Sequence, residues 1–438
     1  MASVNIRELV LETLLLINRD GEYSHIALGQ VLGKYQYLSK KDRAFLTRTV
    51  EGTLERMIEI DAIIGQFSSV KINKMKPVIR EIIRSAVYQL KYMDSVPDSA
   101  VCNEAVKLAS KKGFFNLKGF VNGLLRNISR NLDHIQYPSR EKEPVQWLSV
   151  VYSMPEWIVR KWVEQYGEKK TEEILQAFLE ERPTSIRCSS SKITPQELKD
   201  RLEKEGVTVK EYEEIPGAFQ ISGYDYLDAL ESFREGCFQV QDISSMLVGE
   251  WADPKEGEYI IDVCAAPGGK ALHLADKLKG TGRVEARDLT EYKVQMIRDN
   301  ISRLGFSNVL AVQQDALDID ESSLEKADIV IADLPCSGLG VLARKTDLKY
   351  KMTEQMQSEL ADLQRRILAV VCRYVKNGGK LLYSTCTINR EENEDNALWF
   401  GREFPEFHLV KEQQMLPGTD VGDGFYIAEF KKEKADLG

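Results

Sequence analysis

From residue 259 to residue 383 short β-branched runs alternate with longer amphipathic stretches, a rhythm that few folds accept. Residues 259–263, 283–286, 309–312, 328–332 and 380–383 read as strands, and 271–278, 290–304 and 353–375 as helices. Asn377-Gly378-Gly379 reads as the stop of the last helix. Alternation of this kind predicts a mostly parallel, doubly wound sheet with helices on both faces. Residues 407–410 and 424–430, around Pro417-Gly418, fit a closing antiparallel hairpin at the sheet edge. A Rossmann-like α/β domain is therefore expected over residues 236–432.

The rest of the chain follows other rules. Its 438 residues suffice for two or three domains. Residues 4–18, 39–67, 77–93, 98–110 and 116–128 place apolar side chains at three- and four-residue spacing, so residues 1–135 are expected to form an all-α bundle. The Pro- and charge-bearing stretch 133–144 reads as a linker. Residues 145–235 are mixed, with helices expected over 155–166, 171–178 and 195–205 and strands over 184–188, 207–210 and 219–221. They read as a small α/β module bracing its neighbours.

Composition narrows the function. The net charge is −9, yet residues 1–135 carry +6 and the remainder −15. A basic front on an acidic body suits a chain in which one module touches phosphate. Seven cysteines with no C-x-x-C, and only four histidines, argue against a disulfide framework, a zinc site or a histidine triad, and no metal is expected. No apolar run approaches the roughly 18 residues that cross a bilayer, and the opening residues lack a signal-peptide layout. A cytoplasmic monomer with no membrane partner is expected.

The chemistry gathers at the predicted strand ends. The first strand runs into Cys264-Ala265-Ala266-Pro267-Gly268-Gly269-Lys270, a turn whose small residues let a ligand approach the backbone. Asp288 ends the second strand, where a carboxylate can bind ribose hydroxyls, and Asp315 follows the third, where it could bond an adenine amine. The turn has neither the G-x-G-x-x-G spacing of a dinucleotide site nor the ending of a P-loop. A ligand with a ribose and no pyrophosphate fits, and S-adenosylmethionine is the expected cofactor. The fourth strand runs into Asp333-Leu334-Pro335-Cys336-Ser337-Gly338 and the fifth into Ser384-Thr385-Cys386-Thr387. In an open parallel sheet both ends face one crevice, so Cys336 and Cys386 should meet there beside Asp333. Cys102, Cys188, Cys237 and Cys372 read as small buried hydrophobes. Arg344–Tyr350 offers cations and an aromatic ring suited to single-stranded RNA.

CAAPGGK, DLPCSGLG and STCT resemble the signature segments of RNA cytosine-5 methyltransferases that use two active-site cysteines. The basic helical front resembles NusB-type RNA-binding domains, and the whole chain is similar to the RsmB (Sun/Fmu) family acting on 16S ribosomal RNA. Leu334 departs from the Ala or Val more usual there. The resemblance implies a NusB-like bundle, a middle α/β domain and a class I methyltransferase domain. It implies Cys386 as the nucleophile at cytosine carbon 6, Cys336 as the group that helps remove the carbon 5 proton, and Asp333 as the residue holding the base edge. Residues Cys264 to Lys270, Asp288, Asp315 and Asp333 would surround the cofactor. Two alternatives stay open: a related methyltransferase acting on tRNA or another rRNA site, and a catalytically silent RNA-binding or antitermination factor.

Overall fold

The computed structural model describes residues 4–180 and 183–433, and the chain divides into two compact units. The first takes the chain up to Leu179 together with Leu342–Lys351; the second takes Glu180–Val341 and the chain from Met352 onward.

In the first unit, helices span Ile6–Asn18, Ser24–Lys34, Lys40–Glu55, Met57–Phe67, Pro77–Tyr92, Asp98–Lys111 and Lys118–Arg130. Their starts follow capping chemistry: Asn5 accepts the Glu8 N–H, Ser39 accepts the Asp42 N–H, and Pro77 opens its helix. Their apolar faces close on Leu11, Ile60, Ile64, Ile83, Val87, Val121, Leu125 and Ile128, all buried. Each such side chain contributes roughly 1.5–3 kcal/mol by leaving water. The all-α expectation holds.

Three features of this unit differ from the sequence reading. The stretch 39–67 is two helices, because the backbone turns at Arg56; near the start of the second helix the Ile58 N–H donates to the Ser153 hydroxyl oxygen. The helix Ser24–Lys34 was not expected, and its first N–H and the Ser24 hydroxyl are bound by Asp347, far along the chain. The end of the expected linker opens a further helix, Pro144–Val151, with Pro144 in its first turn. Helices Glu156–Tyr166 and Glu168–Ala177 complete this unit around the buried Trp162.

The segment 342–351 corrects another expectation. Of its cations, Lys349 is buried and donates to the Glu55 carbonyl, while Tyr350 donates to the Leu54 carbonyl. Both bonds satisfy the orphan carbonyls at the end of helix Lys40–Glu55. Lys351 donates to Gly21 O at 3.1 Å and pairs with Asp347 at 3.0 Å. Lys349 and Tyr350 are thus structural groups rather than open RNA contacts; Arg344 and Lys345 stay exposed.

The second unit contains two sheets. Strands β1 (Thr184–Cys188), β2 (Thr208–Glu211), β3 (Ala218–Ser222) and β4 (Phe238–Val240) form an antiparallel sheet in the order β2-β3-β1-β4. A helix over Pro195–Lys204, started by a Thr194–Glu197 capping box, packs Leu198 and Leu202 into its core. Because β4 pairs with β1, this sheet extends beyond the expected boundary at 235.

The larger sheet contains β5 (Tyr259–Asp262), β6 (Arg283–Asp288), β7 (Val309–Gln313), β8 (Ala327–Asp333), β9 (Val375–Thr385), β10 (Phe407–Met415) and β11 (Phe425–Lys432). Their order is β10-β11-β9-β8-β5-β6-β7, with β5 to β9 parallel and β11 antiparallel to both neighbours. The doubly wound expectation and its edge hairpin hold. The helix Glu354–Val371 ends earlier than expected, and Asn377-Gly378-Gly379 lies inside β9 at an irregular register against β8. Gly379 is needed there because a Cβ would come within 2.9 Å of the Asp328 carbonyl. The chain winds from β5 toward β7 on one side and toward β9 on the other, so the order reverses at β5/β8. That crevice, above the strands' carboxyl ends, is where open α/β sheets bind ligands.

Candidate active site

Ile260, Ile261 and Asp262 of β5 are all buried. The strand ends in the turn 263–268, and helix Gly269–Lys277 follows at once. Gly268 adopts φ +107°, a conformation that side-chain-bearing residues avoid, and a Cβ there would press on Leu272 at 3.1 Å. The turn is tied to the next strand: Asp288, buried at the end of β6, accepts the Ala266 N–H at 3.0 Å and the Leu289 N–H at 2.8 Å. Lys293 lies 3.1 Å from the same carboxylate.

Of the predicted residues, Ala265 and Gly268 are buried, Cys264, Ala266, Gly269 and Lys270 half-buried, and Pro267 exposed. Burial first, and then the charge of Asp262, pushes the Cys264 thiol far up, which disfavours its thiolate. Asp315 follows β7, the edge strand, and its carboxylate takes the Leu317 N–H at 2.9 Å.

The second cluster joins three elements. Lys270, from the start of the helix, donates to Asp333 at the end of β8 at 2.5 Å, and Ser384 of β9 donates to the other Asp333 oxygen at 2.8 Å. Burial works against the Lys270 charge, but Asp333 more than offsets it, with Asp262 and Cys386 adding, so the ammonium is held above the ordinary lysine value. The two thiols meet as expected: Cys336 Sγ and Cys386 Sγ are 3.1 Å apart, and the Cys386 N–H points to Cys336 Sγ at 3.3 Å. The hydrogen bond to Cys386, then burial, then the charges of Cys386 and Glu392 hold the Cys336 thiol well above its ordinary value. Gly340 closes the loop, with its N–H on the Cys386 carbonyl and its own carbonyl accepting the Gly424 N–H. Leu334 is buried in the sheet core, so its departure from the family pattern changes packing there.

Two residues of this region escaped the sequence reading. Asp262 is fully buried and neither carboxylate oxygen has a hydrogen-bond partner. Desolvation, and then the nearby Asp333, raise its pKa to about 7. A carboxylate closing an otherwise apolar strand was the available signal. Glu392, also buried, binds the loop that carries Cys336. Nothing in the charged run 391–395 singles it out.

A doubly wound domain with its glycine turn at the switch point, a buried carboxylate at the end of the next strand and two thiols at the ends of two others has the layout of a methyltransferase class of site. Residues 250–431 match the family model described as 16S rRNA methyltransferase RsmB/F, residues 4–130 match the NusB family, and residues 154–224 match the ferredoxin-like domain of RsmF/B-like methyltransferases. The probable ribosomal RNA small subunit methyltransferase B of Bacillus subtilis is 34% identical over 453 residues, covering 99% of this chain and 100% of its own. Ribosomal RNA small subunit methyltransferase B of Klebsiella pneumoniae is 28% identical over 440 residues, covering 99% of each chain. The crystal structure of PH0851 superposes with a TM-score of 0.83 at 27% identity, covering 98% of this chain and 99% of that one. The chain belongs to the RsmB/F family of ribosomal RNA small-subunit methyltransferases, with a NusB-like domain in front. It is an RNA methyltransferase, and its cofactor is S-adenosylmethionine. The residues fit that ligand: the small-residue turn leaves room, and Asp262 and Asp288 present buried acceptors to a cationic, hydroxyl-bearing molecule. Among the described residues no helix is long and apolar enough to cross a membrane.

Proposed function

We propose that the chain methylates carbon 5 of a cytosine in 16S rRNA through a covalent adduct with Cys386. The observation that carries this reading is the 3.1 Å approach of Cys336 and Cys386 beside the Lys270–Asp333 pair. Carbon 5 of cytosine is a weak nucleophile. A thiolate adding to carbon 6 breaks the ring's aromaticity and leaves carbon 5 enamine-like. S-adenosylmethionine supplies the methyl group from its sulfonium.

In this reading the chain divides the work by charge. Lys270 favours the thiolate of Cys386, while Glu392 disfavours one on Cys336, so the first proton lost from the pair comes from Cys386. Asp333, fixed by Lys270 and Ser384, holds the N3 and exocyclic amine edge of the base. Once Cys386 is bonded to carbon 6 it carries no charge, and Cys336 ionises more readily. Its thiolate then takes the carbon 5 proton, the carbon–sulfur bond breaks, and Cys386 leaves as thiolate. The base must leave its stack to enter the crevice. The basic residues of the first unit would supply the phosphate contacts.

The test is methyl transfer from labelled S-adenosylmethionine to 16S rRNA, followed by nucleoside mass spectrometry. The reading predicts 5-methylcytidine. Label in any other nucleoside would overturn it.

A further inference from the structure

The Glu392 carboxylate is fully buried, and the groups that bind it are donors. Oε1 accepts the Ser337 backbone N–H at 2.7 Å; Oε2 accepts the Ser337 hydroxyl at 2.6 Å and the Asn389 side-chain amide at 2.9 Å. The Gln364 amide reaches Oε1 at 3.4 Å. Ser337 is the residue after Cys336, and Asn389 lies three beyond Cys386. The Ser337 hydroxyl also lies 2.9 Å from the Thr387 hydroxyl and 3.1 Å from the Asn389 amide. Both cysteine loops therefore meet on one carboxylate.

We propose that Glu392 is a positioning residue, one that clamps the Cys336–Ser337 loop to the Cys386 loop and fixes which of the two thiols carries negative charge. This inference rests on the assignment of the two cysteines above. An ionised carboxylate only accepts, so it can serve all these donors at once. A glutamine of the same shape can keep one acceptor for the Ser337 backbone N–H, but it turns an NH₂ toward the Ser337 hydroxyl and the Asn389 amide. The hydroxyl can rotate to accept from it, whereas the Asn389 NH₂ is left facing a second donor. The electrostatics run the same way. Cys336 is faced by Cys386 from the end of β9, by Glu392 and by Tyr383. Lys270 instead faces Cys386.

The test reads the thiols directly. Site-resolved alkylation with iodoacetamide across pH 6–10, without RNA or cofactor, gives a profile for each cysteine, and steady-state assays give kcat and KM. In the wild type Cys386 should react at lower pH than Cys336. In Glu392→Gln the Cys336 profile should move at least half a unit toward lower pH. Its kcat should fall tenfold or more, with KM for S-adenosylmethionine within twofold. Glu392→Asp keeps the charge but is too short to hold both groups of Ser337, so it should leave the Cys336 profile in place and still lose at least fivefold in kcat. If Glu392→Gln does not fold, the Asp variant carries the test. An unmoved Cys336 profile in Glu392→Gln, or wild-type kcat in Glu392→Asp, would overturn the proposal. Should Cys386→Ser stay active, the cysteine assignment fails, whereas the alkylation shift would still establish the clamp.

Discussion

Asp288 offers a perturbation whose size can be worked out beforehand. Its buried carboxylate sits at the end of β6 and is proposed to bind the ribose of S-adenosylmethionine. Hydrogen bonds to a charged group contribute about 1.5–3 kcal/mol. Asp288→Ala should therefore weaken cofactor binding by roughly 10- to 150-fold, at 1.4 kcal/mol for each tenfold step. A second effect acts in the same direction. The same carboxylate holds the Ala266 N–H of the cofactor turn at 3.0 Å, and alanine leaves that donor without an acceptor. Asp288→Asn keeps one acceptor for Ala266 but turns an NH₂ toward the Leu289 N–H, so it should fall between the two. Calorimetric titration with S-adenosylmethionine measures the order wild type, Asn, Ala. Loss of two backbone partners should lower the melting temperature by a few degrees at about 1–3 kcal/mol, which the same samples report. An affinity within twofold of wild type in a folded Ala variant would remove Asp288 from the site.

Gly340→Ala should abolish turnover and lower the melting temperature, because its Cβ would stand 2.0 Å from the Gly424 carbonyl at the base of the Cys336 loop; an active, equally stable variant would contradict this packing. Asp262 is held at about 7 in the fold against 3.8 when free, so the folded protein binds the extra proton and stability falls as pH rises from about 4 to 7. Asp262→Asn should accordingly gain urea resistance relative to wild type at pH 8 more than at pH 5, and an equal difference at both would refute the burial argument. RNA affinity should fall steeply with added salt, since phosphate contacts release counterions, and Lys→Glu changes on the exposed face of the first unit should flatten that slope; a salt-independent affinity would exclude the bundle as the phosphate-binding module.

The sequence shows most clearly what local chemistry controls. The strand ends of β5, β6, β8 and β9 were legible because apolar runs stop at carboxylates, glycines and cysteines, and a parallel sheet must collect such ends in one crevice. The missed starts have a common cause. The helices Ser24–Lys34 and Met57–Phe67 are satisfied at their N-termini by Asp347 and Ser153, which are remote in sequence and leave no capping pattern nearby. The segment Arg344–Tyr350 misled for the same reason. Its lysine and tyrosine look like ligand contacts until helix Lys40–Glu55 places free carbonyls within their reach. Strand β4 is too short to stand out, and only its pairing with β1 identifies it. Glu392 was hidden by its neighbours, since burial rather than residue type makes that carboxylate different.

The proposed chemistry is directional, and that gives its most direct measurement. Each cysteine is replaced in turn, the protein is incubated with 16S rRNA and S-adenosylmethionine, and the products are run on a denaturing gel. Cys336→Ala should still form the adduct and transfer the methyl group, but the carbon 5 proton leaves slowly and elimination of Cys386 stalls. A protein–RNA complex that survives denaturation should accumulate. Cys386→Ser should give no turnover and no complex, since a serine hydroxyl is barely ionised at neutral pH. A trapped complex with Cys386→Ser and none with Cys336→Ala would reverse the two roles, and no trap with either, both remaining active, would contradict the thiol mechanism itself.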